Sequence, residues 1–263
     1  IVVRFEGEET FLDLVNHYMG SKFDNLKDIN GIVYKNGDRI IKTPPRGFIQ
    51  DLDKLPFPAR EYFDLSSYEI PGSIITARGC PNRCIFCSAN TLYDGKYRAR
   101  SPANVIDEIR ELVEKYQISK IFFCDDTFTA NRKRVLEIVR LLEEFKDIQW
   151  TCEARINTVD KELLLKMRKA GCNHVQFGIE SGNQEILKKI RKGITKDRAL
   201  KVIQAAHDVG LNVTCSFIIG HPFDTKETVN QTLEFARKIK SLRKSTNSPK
   251  INLSFAPLVP LPG

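Results

Sequence analysis

The sequence contains 263 residues, of which 41% are hydrophobic, and it carries a formal net charge of +8 at pH 7. That length and hydrophobic content are enough for the core of one large domain, and no apolar stretch reaches membrane-spanning length, so we expect a soluble protein. The positive charge makes nucleic acid a partner to consider.

The N-terminal region has a pattern of its own. Residues Ile1–Phe11 predict a strand and an acidic turn, followed by a short helix that ends near Met19. Ile32–Ile41 predict a hairpin with an Asn-Gly turn, and the prolines between Pro44 and Pro58 predict an extended connector. The chain begins without Met and stops within a motif, so we expect a fragment of a longer protein.

From residue 73 onward, apolar runs alternate with amphipathic segments, which is typical of parallel βαβ units. The predicted strands are Ser73–Ala77, Lys120–Cys124, Gln149–Glu153, His174–Gly178, Asn212–Ile219 and Ile251–Leu258. The predicted helices are Pro102–Tyr116, Asn131–Phe145, Asp160–Ala170, Asn183–Arg191, Thr195–Val209 and Thr225–Leu242. Six strand–helix repeats predict an α/β fold with a partial (β/α)6 TIM-like barrel rather than a closed eightfold one.

Three cysteines, Cys80, Cys84 and Cys87, follow the first predicted strand within eight residues. One loop can wrap thiolates at these spacings around a corner of an iron–sulfur cluster, and soft thiolate ligands select iron–sulfur or zinc. Three ligands would leave one iron of a [4Fe–4S] cluster open. Zinc is the alternative, but a structural zinc site needs four ligands and no His lies near this loop. Three core cysteines are the other alternative, although the start Gly79-Cys80-Pro81 is not typical of a core segment.

The pattern Cys-x-x-x-Cys-x-aromatic-Cys, with Phe86 as the aromatic residue, resembles the cluster loop of radical S-adenosylmethionine (SAM) enzymes. The resemblance implies that the three cysteines hold a [4Fe–4S] cluster, that the amino and carboxylate groups of SAM chelate its open iron, and that Phe86 is a cofactor-binding residue. An electron from the cluster then cleaves SAM to a 5′-deoxyadenosyl radical. The resemblance also implies a small-molecule substrate and an electron donor of the reductase, ferredoxin or flavodoxin type. Because such a cluster is labile and no secretory signal is visible, we expect a cytoplasmic protein.

Acidic residues follow the second strand, where this family places a motif that holds the amino group of SAM. The sequence Asp125-Asp126-Thr127-Phe128 lacks the family's commoner Gly-Gly-Glu pattern and resembles the Asp-Asp-x-Phe version of one large subgroup. The resemblance therefore implies a cofactor role for Asp125 or Asp126 and leaves open which of them makes the contact. Aspartates after a strand are also common turn and capping residues, which is the alternative.

The third and fourth strands end in further candidates. Arg155 offers a planar fork that suits a carboxylate, and the resemblance assigns it to the methionyl carboxylate of SAM, with a surface ion pair as the alternative. Gly178-Ile179-Glu180-Ser181-Gly182 resembles a family stretch whose acid and hydroxyl face the ribose or the amino acid part of SAM. Glu180 is the stronger candidate because an acid at an apolar strand end is costly without a partner. N-capping of the next helix is the alternative for Ser181.

The remaining segments add one candidate. Gly220, after the fifth strand, would permit close approach to the adenine and would also suit a turn. His221 is interpreted as a loop residue, and Ala256–Gly263 resembles the start of the family's closing strand. Four more cysteines, interpreted as structural, are Cys124, Cys152, Cys172 and Cys215.

The densest basic stretch consists of Lys188, Lys189, Arg191 and Lys192, followed by Lys196, Arg198 and Lys201. Without interleaved aromatic residues, this stretch predicts a solvated helix face and not a nucleic-acid site.

The order of acidic helix, hairpin and Leu-Pro-Phe-Pro connector resembles the junction between the cobalamin-binding and radical domains of the cobalamin-binding subgroup. The resemblance implies three parts: a C-terminal remnant of a cobalamin-binding-like domain at 1–20, a hairpin and connector at 21–70, and a truncated radical SAM core at 71–263. It implies cobalamin as a possible cofactor, with methyl transfer to carbon as the leading reaction and cyclisation or rearrangement next.

Two alternatives stay open. RNA methylthiolation would require further cluster cysteines, and residues 1–70 contain none. A non-catalytic iron–sulfur protein for electron transfer or scaffolding would normally use four cysteines, and it would leave Asp125, Arg155 and Glu180 without a function.

Overall fold

A computed structural model describes residues 1–259 and divides the chain into two compact units, Ile1–Leu52 and Asp53–Gly263. In the part of the chain that is described, none of the helices combines the length and the apolar character that crossing a bilayer requires. Each unit has its own sheet and its own core.

The first unit consists of strands β1 (Val2–Val3), β2 (Ile32–Asn36) and β3 (Arg39–Lys42) with helix α1 (Glu8–Tyr18) and a 3-10 turn at Leu26–Asp28. The three strands are antiparallel in the order β1-β2-β3. The predicted helix and hairpin are therefore confirmed. A small core of Leu14, Ile29 and Ile32 holds this unit together.

The second unit contains the remaining elements. Its strands are β4 (Gly72–Ile74), β5 (Ala77–Arg78), β6 (Arg98–Ala99), β7 (Lys120–Phe123), β8 (Gln149–Ala154), β9 (Cys172–Glu180), β10 (Asn212–Ile219) and β11 (Ile251–Pro257). Its helices are α2 (Ser88–Tyr93), α3 (Pro102–Glu114), α4 (Arg132–Leu142), α5 (Lys161–Lys169), α6 (Gln184–Lys189), α7 (Lys196–Asp208) and α8 (Lys226–Lys240). Short 3-10 turns are found at Leu52–Lys54, Arg60–Tyr62, Leu65–Ser67 and Phe128–Ala130.

Six of these strands form one sheet in the order β11-β10-β9-β8-β7-β4, and every neighbouring pair is parallel. The predicted α/β fold with six parallel strands is confirmed, and within residues 1–259 the sheet does not close into a barrel. The last four residues of the predicted closing segment, 260–263, lie outside the described residues.

Side chains alternate along the strands between the packed core and the opposite face of the sheet. In β8, Trp150, Cys152 and Ala154 are buried in the core, whereas Thr151 and Glu153 between them are only partly buried. Polar N-caps begin the helices: Ser101, Asn131, Asp160, Asn183, Thr195 and Thr225 each accept a hydrogen bond from a backbone N–H of the first turn. Because the strands are parallel, their carboxyl ends meet at one edge of the sheet.

Several element boundaries differ from the sequence prediction by a few residues, and two of these differences lie next to the candidate site. The first strand is interrupted after Ile74, because the backbone N–H groups of Thr76 and Ala77 donate to Asp125, and β5 then pairs with β6 in a separate antiparallel ribbon. Helix α6 ends at Lys189, two residues early, because Arg191 adopts a left-handed φ of 56°.

Candidate active site at the carboxyl ends of the strands

The three cysteines of the predicted cluster loop lie between β5 and α2. Cys80 and Cys84 are buried and Cys87 is half-buried. The loop begins at Gly79, which has a φ of 80°. A Cβ atom at Gly79 would lie 2.0 Å from the carbonyl oxygen of Lys96, so the backbone can take this path only with glycine.

Nitrogen donors point at two of the sulfur atoms. Asn82 Nδ2 lies 3.2 Å from Cys80 Sγ, and Arg155 Nη1 lies 3.2 Å from Cys84 Sγ. Such N–H groups stabilise thiolates, which are the form that binds metal. The surroundings of these two cysteines are therefore those of ligand thiolates rather than of apolar core thiols.

The donor set fits an iron–sulfur cluster better than a single ion. Burial raises the pKa of the Cys87 thiol, and the neighbouring Cys84, Asp126 and Cys80 add to that rise. Within residues 1–259, no three His, Cys, Asp or Glu side chains converge as one metal ion would require. In a cluster each thiolate binds a different iron, so convergence on one point is unnecessary. Three thiolates without a nearby His also fall short of the four ligands that a structural zinc site needs.

Arg155, predicted at the end of the third strand, is buried with 6% of its surface exposed. Besides its contact with Cys84, it donates through Nη2 to the carbonyl oxygen of Lys192 and through Nε to Asn157 Oδ1 at 3.3 Å. The alternative of a surface ion pair for Arg155 is wrong, because the guanidinium is buried against a predicted cluster ligand.

Glu180 forms a buried ion pair with Lys192, with Nζ 2.6 Å from Oε1. Glu180 has a left-handed φ of 71°, an unfavourable conformation for a residue with a side chain. A Cβ atom at Gly178 would lie 2.4 Å from Glu180 Oε1 and 2.7 Å from Lys192 Nζ, so the glycine makes room for the pair. Lys192 also lies over the ring of Phe86, 5.8 Å from its centroid.

The sequence analysis did not select Lys192 as a site residue, and the structure places it in the site. The prediction of a solvated basic face is wrong for this residue, which is 5% exposed. The available signal was its position just before Gly193, outside helix α6, which carries Lys188 and Lys189.

Asp125 and Asp126 have different surroundings. Asp125 is 2% exposed and accepts hydrogen bonds from Thr76 N (2.6 Å), Thr76 Oγ1 (2.5 Å) and Ala77 N (3.0 Å). Asp126 is exposed, and its Oδ2 accepts from Gly79 N at 3.1 Å, at the start of the cysteine loop. Burial raises the pKa of both carboxyl groups, although these hydrogen bonds oppose the rise.

Glu153, on β8, is a further acidic group that the sequence analysis did not select. Burial raises its pKa, and the negative charges of Asp126 and Glu180 raise it further, while Lys192 lowers it. The carboxyl ends of β7, β8 and β9 therefore bring three acidic side chains and one buried lysine close enough for their charges to shift the pKa of Glu153. The sequence signal for Glu153 was an acid between the apolar positions of a strand.

Ser181 contacts helix α8 and the backbone just before α6. Ser181 is 1% exposed, its Oγ lies 3.2 Å from Thr232 Oγ1 on α8, and it accepts from Asn183 N at 3.1 Å. The N-cap of α6 is Asn183, so the capping alternative for Ser181 is wrong. Gly220 has a φ of 94°, and a Cβ atom there would meet nothing within 4 Å, so space for a ligand remains beside it. The neighbouring His221 ring packs edge-on against Phe86, with centroids 5.9 Å apart.

Of the other cysteines, Cys152, Cys172 and Cys215 are buried as predicted for structural positions, whereas Cys124 is exposed. Burial raises the pKa of the Cys215 thiol to about 12, so this thiol is unreactive at neutral pH.

Comparison with known proteins identifies relatives. A family model described as the Radical SAM superfamily matches residues 74–236. An uncharacterized methyltransferase of Pyrococcus horikoshii is 40% identical over 243 residues, which covers 90% of this chain and 52% of the relative. An anaerobic magnesium-protoporphyrin IX monomethyl ester cyclase of Cereibacter sphaeroides is 31% identical over 253 residues, which covers 90% of this chain and 40% of the relative. The chain thus spans about half, or less, of the length of these curated relatives.

Among solved structures, the radical S-adenosylmethionine methyltransferase TsrM from Kitasatospora setae, with cobalamin and a [4Fe–4S] cluster bound, is similar with a TM-score of 0.75. The sequence identity is 18%, and the match covers 96% of this chain and 50% of TsrM. At this identity the likeness concerns the fold alone.

Proposed function

This chain belongs to the radical SAM superfamily, a family of enzymes, and from that premise we propose that Cys80, Cys84 and Cys87 bind a [4Fe–4S] cluster that cleaves SAM reductively. The observation that carries the proposal is the cysteine loop itself. Its three cysteines lie within eight residues, and nitrogen donors of Asn82 and Arg155 point at two of the sulfurs.

When bound, the cluster supplies the electron that converts SAM into methionine and a 5′-deoxyadenosyl radical. The chain's residues hold and shield this chemistry. The three thiolates anchor three irons, and the burial of Cys80 and Cys84 keeps water from the cluster. The acidic and basic groups at the strand ends offer partners for the amino and carboxylate groups of SAM.

Asp126 is the better of the two aspartates for the amino group of SAM. The three hydrogen bonds of Asp125 go to the chain itself, and its carboxylate is buried, whereas Asp126 is exposed beside the cysteine loop. The resemblance assigns the methionyl carboxylate to Arg155, which already lies against Cys84.

Glu180 is our candidate for the ribose or amino acid part of SAM, and its left-handed φ supports this proposal because backbone strain concentrates at functional sites. Ser181 is a weaker candidate, since its hydroxyl contacts α8. Phe86 supplies an apolar wall between Lys192 and His221, and Gly220 leaves room for the adenine.

We further propose that the longer protein to which this chain corresponds is a cobalamin-dependent methyltransferase acting on carbon. The supporting observations are the methyltransferase name of the Pyrococcus relative and the cobalamin bound in TsrM. The domain assignment at 1–20, 21–70 and 71–263 is part of this proposal. The proposal also includes a small-molecule substrate and an electron donor of the ferredoxin or flavodoxin type. It includes a cytoplasmic location, because a labile cluster requires a reducing compartment.

The test is anaerobic. The protein is reconstituted with iron and sulfide and incubated with SAM and a strong reductant, and 5′-deoxyadenosine is quantified beside a Cys84→Ala control. We expect product from the wild-type protein and none from the control. Absence of product from protein with an intact cluster would contradict the proposal and favour a non-catalytic iron–sulfur protein.

A further inference from the structure

We propose that Arg155 sets the reduction potential of the cluster by donating a charged hydrogen bond to Cys84 Sγ, and that residues 190–192 hold it in that position. This inference rests on the proposed cluster. Arg155 is a positioning and tuning residue in this proposal, and it acts through the ligand Cys84.

The guanidinium of Arg155 is held in one position. Each of its three nitrogens contacts an acceptor of the chain: Cys84 Sγ, the carbonyl oxygen of Lys192 and Asn157 Oδ1. The side chain is also 6% exposed. A fork fixed at three points loses little further freedom when the cluster binds, so its N–H group is preorganised toward the sulfur.

Residues 190–192, which we call the 190–192 turn, present three successive carbonyl oxygens to the site. Ile190 O accepts from Ile85 N at 3.2 Å, Arg191 O lies 3.6 Å from Cys84 Sγ, and Lys192 O accepts from Arg155. The turn therefore contacts both the cysteine loop and the arginine.

The 190–192 turn is itself held at both ends. The N–H groups of Arg191 and Lys192 donate to the carbonyls of Lys188 and Leu187, which is the Schellman pattern that ends a helix. At the other end, Lys192 is fixed by its ion pair with Glu180. The left-handed φ of Arg191 is the conformation that aims the carbonyls this way.

The three cysteines differ in the charge of their donors. Cys80 receives a hydrogen bond from the neutral amide of Asn82, and Cys87 receives one from the backbone N–H of Ala89. Cys84 alone of the three has a cationic donor among its described contacts. Charged hydrogen bonds are about twice as strong as neutral ones.

The direction of the effect follows from charge. Reduction adds negative charge to the cluster, and part of that charge resides on the thiolate sulfurs. A cation that donates to Cys84 Sγ stabilises the reduced cluster more than the oxidised one, so it raises the reduction potential. The wild-type cluster is thus easier to reduce than a cluster without Arg155.

The experiment is a redox titration of the reconstituted protein without SAM, followed by the electron paramagnetic resonance signal of the reduced cluster. The variants are Arg155→Met, which removes the donor and the charge, and Arg155→Lys, which keeps the charge. Arg198→Met is the matched control, because Arg198 donates to the carbonyl of Val159 and lies on α7.

At a fixed solution potential, we expect the ratio of reduced to oxidised cluster in Arg155→Met to fall at least tenfold, which is about 59 mV for a one-electron couple. Arg155→Lys should lie between Arg155→Met and the wild-type protein, and Arg198→Met should match the wild type. Iron and sulfide contents establish that each variant holds a full cluster.

An unchanged potential in both Arg155 variants would overturn the proposal, and weaker SAM binding at an unchanged potential would leave only the carboxylate role. Loss of the cluster from both variants would also overturn it, since a tuning residue is not required for assembly. If Arg155→Met alone fails to assemble, the shift in Arg155→Lys decides. A wild-type protein that forms no cluster would instead contradict the proposed function itself.

Discussion

Two neighbouring aspartates at the end of β7 perform different tasks although the sequence treats them alike. Asp125 links the end of β7 to the segment between β4 and β5, because its carboxylate accepts hydrogen bonds from the backbone N–H groups of Thr76 and Ala77 and from the Thr76 hydroxyl. Its neighbour Asp126 contacts the first residue of the cysteine loop instead. At the scale of single residues, position relative to the loop decides which carboxylate remains for a ligand.

We predict that Asp125→Asn leaves SAM binding intact and changes the free energy of unfolding by less than about 1 kcal/mol. The amide oxygen can accept from Thr76 N and Ala77 N, which both donate to Oδ1, and the amide nitrogen can donate to Thr76 Oγ1. Asp125→Ala should lose about 2–4 kcal/mol, because buried donors are left without partners. Urea unfolding and SAM binding to the reconstituted protein measure both effects.

Asp126→Asn is the matched comparison. If Asp126 holds the amino group of SAM, removing its charge should weaken SAM binding about tenfold or more, while stability changes little. The opposite ranking, with Asp125→Asn losing SAM and Asp126→Asn retaining it, would show that Asp125 contacts the cofactor.

At the scale of elements, the end of α6 contains a strained residue. Arg191 has a side chain exposed to solvent and a φ of 56°, where glycine is the favoured residue at this position of a Schellman motif. We predict that Arg191→Gly raises the free energy of unfolding by about 1 kcal/mol, which corresponds to roughly 2–4 °C in the melting temperature. Differential scanning calorimetry on the cluster-free protein measures the change.

Lys188→Gly, one residue before the end of α6, controls for the general effect of glycine. It should lower the stability by about 1 kcal/mol, because glycine is a poor helix former. A loss of stability in both variants would mean that the left-handed conformation of Arg191 is not strained.

A half-buried histidine on β9 contacts β10. His174 Nε2 lies 2.9 Å from Thr214 Oγ1, and burial lowers the pKa of His174 below its ordinary value of 6.5. The unfolded chain therefore binds the proton more readily than the folded one, so the contribution of His174 to stability is complete above pH 6.5 and is lost as the pH falls toward its lower folded pKa.

We predict that His174→Gln flattens this pH dependence, since an amide can keep the contact with Thr214 and does not titrate. The difference in unfolding free energy between the wild type and the variant should change by up to about 1.4 kcal/mol per pH unit below pH 6.5. Taking the difference cancels the other titrating groups, including His221, whose pKa burial lowers in the same way. Parallel curves for the two proteins between pH 8 and pH 5 would contradict the assignment.

At the scale of the whole molecule, local sequence patterns predicted the strand–helix repeats. They did not predict contacts between residues that are far apart along the chain. The six parallel strands and the capped helices follow from hydrophobic periodicity and polar N-caps, which are local signals. The interruption after Ile74 depends on Asp125, which is about 50 positions away along the chain, and the burial of Lys192 depends on Glu180 and on a left-handed turn. The cysteine spacing predicted the loop, whereas the contact between Arg155 and Cys84 required the sheet to bring β8 next to that loop.

The two compact units of the chain have cores of very different size. The first unit has a core of three buried apolar side chains, whereas the second has the large core around Trp150 and the other strand residues. A segment of about 50 residues with so small a core is marginal by itself. We expect a fragment starting at residue 53 to unfold in one cooperative transition, and a fragment of residues 1–52 to show none.

A fragment starting at residue 71, the boundary predicted from the sequence, should be less stable than one starting at residue 53. It lacks Arg60, which is 5% exposed and donates to Glu108 at 2.6 Å and to the carbonyl of Ser73 at 3.2 Å. Arg100 still pairs with Glu108, so the carboxylate keeps one of its two cations, and we expect a loss of about 1–3 kcal/mol. In the longer fragment, Arg60→Met should reproduce most of that loss in urea unfolding. Equal stability of the two fragments would mean that the connector between residues 53 and 70 contributes nothing to the second unit.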